Sequence, residues 1–188
     1  MNIKEEKREL RFEILDKLKR QNLTERKTKS SIITQKILLS PDFKNAERVM
    51  LYAAMTYEVE TRDIITHAFR MRKKVILPLL DREKREITPC EIKDFEKETQ
   101  WCTYGFREPN HSFRNNIEVG KIDIVIIPGI CFDTKNNRLG RGIGCYDKFL
   151  SLLKPDIITI GLGFDFQIRA KIPTEKHDVP LTEVISNN

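Results

Sequence analysis

Three of the chain's eight glycines stand at alternate positions in one short run, Arg138-Leu139-Gly140-Arg141-Gly142-Ile143-Gly144-Cys145-Tyr146-Asp147. Glycine accepts positive φ and lets a backbone approach a ligand closely. Successive N–H groups can then converge on an anion at the start of a helix. Arg138 and Arg141 sit within the run, so phosphate is the anion it suits best; a flexible surface loop is the plainer alternative. Two familiar nucleotide templates fail here. G-x-x-x-x-G-K-[ST] is absent, and G-x-G-x-x-G breaks because Cys145 and Asp147 fall where a third glycine would be needed.

A second anomaly lies near the amino terminus. On a helical projection Lys7 and Arg11 share a sector with Leu10, Ile14 and Leu18, and Lys4 stands at its edge. Cations on an inward face need a partner anion, unless the first turns overhang the core and the side chains reach water. Among the carboxylates, Asp147 follows the glycines directly and suits either a phosphate-bound magnesium ion or simple stabilisation of a helix start. Glu58 and Glu60 follow an apolar run, where α/β sheets collect binding residues, although solvated loop positions are commoner.

These residues must be held by regular elements. The spacing of Leu10, Ile14, Leu15 and Leu18 predicts a helix over 4–20, and Thr24 is expected to cap a second one ending near Ser40-Pro41. Strands are expected over 48–55 and 74–80, joined by a helix from Thr61 to Arg72, which is the size of a parallel crossover. A further strand is expected over 87–92, and 104–116 reads as exposed loop. The runs 122–128 (IDIVIIP) and 156–164 (DIITIGLGF) read as buried strands, with a helix over 146–153 between them and an irregular tail from Lys171 containing a short strand. The fold class that follows is α/β: a three-layer single domain, residues 1–188, with a mostly parallel central sheet flanked by helices.

Charge and cysteine content narrow the partners. Residues 1–30 hold ten Lys/Arg against six Asp/Glu, so a surplus of four of the chain's net +6 sits there. That balance admits nucleic acid, an acidic membrane or a small polyanion. Phe12 is the only aromatic in this stretch and acids are mixed among the bases, which argues against nucleic acid. No apolar run approaches the ~20 residues of a spanning helix, and the opening residues are charged, unlike a signal peptide. Cys90, Cys102, Cys131 and Cys145 form no C-x-x-C pair, and with His67, His111 and His177 they make no zinc pattern. Scattered thiols in a chain this long point to a reducing cytoplasm.

Taken together, the motifs resemble the 5-formyltetrahydrofolate cyclo-ligase (methenyltetrahydrofolate synthetase) family. Pro128-Gly129-Ile130-Cys131-Phe132-Asp133, then Arg138 to Asp147 and Leu150, are similar to its PG-x-x-F-D and R-L-G-x-G-x-G-Y-Y-D signature. Lys7 and Arg11 match its K-x-x-x-R, Glu58 to Thr61 its E-[IV]-x-T, and Gly105 to Pro109 its G-x-x-E-P, with Gln167 and Asp178 in place. The resemblance spans about residues 7 to 183 and implies ATP- and Mg²⁺-dependent closure of 5-formyltetrahydrofolate to 5,10-methenyltetrahydrofolate, with ADP and phosphate released. The N5-formyl group is amide-like, so its oxygen leaves poorly until phosphorylated; N10 then attacks the carbon and phosphate departs. A protein serves such chemistry by positioning and charge neutralisation.

By the same resemblance, Lys7, Arg8 and Arg11 contact the nucleotide phosphates together with Arg138, Leu139, Gly140, Arg141, Gly142, Ile143, Gly144, Cys145 and Tyr146. Ala53, Glu58 and residues 141–145 border the folate, with Glu58 accepting from the pterin ring. Arg138, Arg141 and Tyr146 are the expected catalytic residues, no general base is assigned, and Asp147 and Asp178 are the expected magnesium ligands. A monomer without nucleic-acid or membrane partners is expected. Cys145 departs from the pattern, standing where the family has the first tyrosine of Y-Y-D. A folate- and nucleotide-binding paralogue with weakened turnover is therefore the alternative.

Overall fold

The computed structural model describes residues 2–176 and 178–188; His177, one of the three histidines weighed above as zinc partners, lies outside them. Helix α1 (Ile3–Arg20) begins at Asn2, whose side chain and Glu5 form a reciprocal capping box. Its inward stripe seals Ile14 and Leu18 completely, as their spacing predicts. Helix α2 (Leu23–Leu39) is capped by Asn22, which accepts from Thr24 N at 2.8 Å, so the cap lies two residues before the expected Thr24. Pro41 opens the short α3 (Pro41–Asn45).

Strand β1 (Arg48–Met50) is shorter than the apolar run 48–55 suggests. Leu51 N still bonds Ile76 O, but the chain then leaves the sheet to shape a cavity wall. Thr61 precedes α4 (Arg62–Arg70) without capping it; its hydroxyl donates instead to Tyr52 O at 2.5 Å, pinning the far end of that loop. Strand β2 (Lys74–Asp81) pairs parallel with β1 and antiparallel with β3 (Glu86–Ile92).

The segment expected as loop holds a small ribbon: α5 (Phe95–Glu98), then β4 (Thr99–Trp101) antiparallel to β5 (Arg107–Pro109). Arg107 Nε bonds Thr99 Oγ1 at 2.7 Å across it. Strand β6 (Ile124–Pro128) returns to the main sheet. Next come β7 (Cys131–Asp133), β8 (Arg138–Leu139) and α6 (Cys145–Leu150), which ends three residues before the expected boundary. Strand β9 (Ile158–Leu162), the short β10 (Ile168–Arg169) and β11 (Glu183–Ile185) complete the chain.

The six-stranded sheet runs β11-β9-β6-β1-β2-β3, parallel throughout except for β3. Strand alternation divides the core in two. Val49, Val75, Ile124 and Ile126 face Ile14, Ile33, Ile37 and Ile64 of the helices on one side. Met50, Ile76, Val125 and Ile127 face Phe149 and Leu150 of α6 on the other. The three-layer architecture with a mostly parallel sheet is therefore present, though one outer layer is a single short helix.

The topology also locates the cleft. From β1 the chain moves to β2 and β3 on one side, then crosses to β6, β9 and β11 on the other. Strands β1 and β6 thus flank a switch point, and the loops leaving their carboxyl ends must part there.

Candidate functional site

Two adjoining cavities open at this switch point. One, about 520 Å³ counting space open to solvent, lies between the glycine run, Pro128 and Glu58. The other, about 440 Å³, is walled by Tyr52, Pro78, Phe106 and Tyr146 and reaches Ala53. They share Glu58, Leu80, Arg82, Pro128, Arg141 and Tyr146, so ligands in the two cavities would meet at those residues.

The glycine run is held from below. Asp133 is 2% exposed and accepts from Lys135 N, Asn137 N, Ile172 N and Asn137 Nδ2 at 2.9–3.2 Å, which fixes the turn delivering Arg138. Burial alone would raise the Asp133 carboxyl, but these donors hold it below its ordinary value. Gln167, also 2% exposed, donates from Nε2 to Gly129 O and Ile130 O at 2.9 Å, shaping the turn after β6. Gly142 (φ +96°) and Gly144 (φ +88°) occupy the left-handed region, where a side chain would strain the backbone. Arg11 Nε donates to Gly140 O at 2.8 Å, so helix α1 braces the loop from outside.

The charged groups are arranged as pairs. Arg138, its side chain only 4% exposed, donates to Asp147 Oδ1 at 2.6 Å and to Pro128 O at 3.2 Å, and stands 5.5 Å from the Tyr146 ring. Its Nε is buried without a partner among the described residues. Arg141 Nη2 meets Glu58 Oε1 at 2.9 Å, while Glu58 Oε2 accepts from Met55 N at 2.9 Å. Burial, with Glu58 adding to it, pushes the Tyr146 phenol well up, so it stays a neutral hydroxyl at the junction.

Lys7 is buried, as its helical position demands, and its anions come from the chain itself: Nζ meets Asp178 Oδ2 at 2.6 Å and Glu175 Oε2 at 2.9 Å. Burial lowers the Lys7 pKa, but the two carboxylates outweigh it and the net shift is upward. Arg11 is lowered by burial, with Asp147, Asp178 and Glu175 opposing that shift, so the two expected metal ligands lie within its electrostatic reach.

Most of the expected site residues thus converge on one cleft: Glu58, Arg138, Gly140, Arg141, Gly142, Ile143, Gly144, Cys145, Tyr146 and Asp147 all line the first cavity. Ala53 lines the second. Leu139 is 2% exposed, packs into the core and does not line the cleft, and Arg8 is exposed and lines neither cavity. Cys145 opens α6 at 4% exposure, and burial raises its thiol, so it is no ready nucleophile. Sequence reasoning missed Arg82, which lines both cavities; it lies in the run Asp81-Arg82-Glu83-Lys84-Arg85-Glu86, where charge reads as a solvated turn.

An α/β domain with an arginine- and glycine-lined cleft at its strand switch point has the architecture in which α/β proteins place small-ligand sites. The profile of the 5-formyltetrahydrofolate cyclo-ligase family matches residues 3–187, and the chain belongs to that family. The mouse 5-formyltetrahydrofolate cyclo-ligase (Mus musculus) is 30% identical over 190 aligned positions, covering 95% of this chain and 92% of the mouse protein. A probable 5-formyltetrahydrofolate cyclo-ligase of Schizosaccharomyces pombe is 33% identical over 176 positions, with 85% and 84% covered. Among solved structures, the 5,10-methenyltetrahydrofolate synthetase of Aquifex aeolicus superposes with a TM-score of 0.84 at 26% identity, covering 96% of this chain and 89% of that one. That of Mycoplasma pneumoniae, at 23% identity and TM-score 0.79 over 97% and 99%, shares the fold.

Proposed function

We propose that this protein closes 5-formyltetrahydrofolate to 5,10-methenyltetrahydrofolate at the expense of ATP, releasing ADP and phosphate. The observation that carries this reading is the Arg141–Glu58 pair at the seam of the two cavities, with a glycine loop on one side and an apolar, Glu58-walled pocket on the other. A phosphate donor and a ring-bearing acceptor held there would meet. Family membership supports the same substrate.

ATP supplies the phosphoryl group that makes the formyl oxygen a competent leaving group. The chain's residues supply position and charge. Backbone N–H groups of 140–144 face the phosphates, Arg138 and Arg141 offset charge on the transferring group, and Lys7 and Arg11 fix the helix and loop around them. Glu58 Oε1 and Oε2 are acceptors suited to the pterin's amino and ring N–H groups. N10 belongs to the same molecule as the formyl carbon, so holding the folate with the two in contact makes N10 the nucleophile.

Magnesium fits as an ion carried by the phosphates. Among the described residues no cluster of three or more His, Cys, Asp or Glu forms a cage. Mg²⁺ with phosphates commonly needs only one or two carboxylates. Asp147 lines the cleft with Oδ1 bound to Arg138. Asp178 is engaged by Lys7, so Asp147 is the better-disposed ligand, with Asp178 joining it if Lys7 turns to the phosphates. A bound ion would spread the charge of the leaving phosphate.

The test is appearance of methenyl-folate absorbance with ATP, Mg²⁺ and 5-formyltetrahydrofolate. No product from folded protein, under conditions in which the mouse enzyme turns over, rejects the reading; tight folate binding without ADP release then identifies a binding paralogue.

A further inference from the structure

Arg82 stands where three spaces meet. It lines the glycine-loop cavity, the Glu58 cavity and a third groove bounded by Trp101, Tyr104 and Glu108. Its guanidinium carbon lies over the Tyr104 ring, 3.2 Å from the centroid, so the side chain is held rather than free to sweep through solvent. Among the described residues its Nε is buried with no hydrogen-bond partner. Among the described residues it makes no ion pair within 4 Å, although Glu108 of the same groove lies within its electrostatic reach, whereas Arg138 and Arg141 are both paired. A half-buried, stacked arginine with an orphaned donor is costly unless an anion completes it.

Which anion is decided by its surroundings. Arg138 and Arg141 line the glycine-loop cavity, and among the described residues Arg82 is the only cation lining the third groove. That groove also carries uncovered aromatic surface, Trp101 at 70% and Tyr104 at 50% exposure. A pterin seated against Glu58 leaves its aryl ring and acidic tail to exit past Leu80 and Phe106, which line both the second cavity and the groove. Aromatic faces beside one fixed guanidinium match an aryl group ending in a carboxylate.

Resting on the proposed activity, we propose that Arg82, stacked on Tyr104, binds a carboxylate of the glutamate tail of the folate and is a specificity-determining residue. Glu108 lines the same groove within electrostatic reach of Arg82, so the tail carboxylate competes with it for the guanidinium.

The experiment compares 5-formyltetrahydrofolate with the methylamide of 5-formyltetrahydropteroate, which keeps pterin, N10 and aryl ring but carries no tail carboxylate. In the unaltered protein the methylamide is expected to show a KM about tenfold to a hundredfold higher, the value of a charge-assisted hydrogen-bonded pair. In Arg82→Gln that ratio falls to near one, and in Tyr104→Leu it falls part of the way. An unchanged ratio in a folded Arg82→Gln overturns the proposal, as does a rise in the KM for ATP with the folate KM unmoved, which would make the anion a phosphate. If the unaltered protein turns over neither substrate, the cyclo-ligase reading fails separately. Calorimetric Kd values for the two folates, in Arg82→Gln and the unaltered protein, then give the same ratio without catalysis.

Discussion

Lys7 and Asp178 lie 171 residues apart in sequence, yet Lys7 Nζ and Asp178 Oδ2 are 2.6 Å apart, and this contact ties the tail to the first helix. Lys7→Met keeps the apolar stem and removes the charge, leaving Asp178 and Glu175 without their shared cation. The expected loss is about 2–3 kcal/mol in urea titration, below the full value for a buried pair because Glu175 is partly exposed. The Lys7 pKa is raised by folding, so its contribution is complete below the ordinary lysine value of 10.5 and is lost as pH rises through the higher folded value. A Lys7→Met midpoint equal to that of the unaltered protein would show the tether to be dispensable.

Asp133 gathers backbone donors from two segments, Lys135–Asn137 and Ile172. Asp133→Ala leaves these N–H groups buried without an acceptor and is expected to cost about 3–5 kcal/mol. It also frees the turn before Arg138, so turnover should fall even at temperatures where the protein stays folded. Because folding depresses the Asp133 carboxyl, its stabilisation is present above the unfolded value of 3.8 and drains away as pH falls below it. Acid titration of Asp133→Asn should therefore show a shallower loss than the unaltered protein.

What was legible in the sequence follows from locality. Helix α1, the buried strands and the glycine run each announce themselves within a few residues, by 3.6-residue spacing, β-branched content or clustered glycine. The shortening of β1 was not legible, because Leu51 and Tyr52 are as apolar and buried as a strand while the chain turns away to wall a cavity. The β4–β5 ribbon escaped for the opposite reason: Trp101 faces water, so no alternation marks it. The anions facing Lys7, and the place of Arg82 between three cavities, depend on contacts across the whole chain. Local pattern carries no trace of them.

The buried thiols give an alkaline prediction. Cys131 is fully buried and its Sγ donates to Gln167 O at 3.1 Å; burial pushes its pKa up to about 11 from 9.0. Unfolded chain ionises first, so stability is complete below pH 9 and falls by about 2–3 kcal/mol as pH rises to 11. Cys131→Ala should flatten that slope while lowering the plateau. At pH 7 a thiol reagent should modify Cys102 quickly and Cys90, Cys131 and Cys145 slowly, since only Cys102 is not buried. Fast labelling of Cys145 would contradict its packing against the second core.

Glu58 tests the division of the cleft into two sides. One of its oxygens is bound by Arg141 and the other by Met55 N. Glu58→Gln preserves shape but replaces one acceptor by an NH₂ group, which must face either the guanidinium or the backbone N–H, donor against donor. One of the two contacts is therefore lost in the free protein, and no charge remains to receive the pterin's donors. The folate KM should rise about tenfold to a hundredfold, the cost of losing a hydrogen bond to a charged acceptor. The Kd of ATP measured alone should move by less than about twofold, because the nucleotide side keeps Arg138, Arg11 and the glycine backbone. An ATP Kd that shifts as far as the folate KM would assign the Arg141–Glu58 pair to the nucleotide instead, and would move the seam between the two ligands toward Ala53.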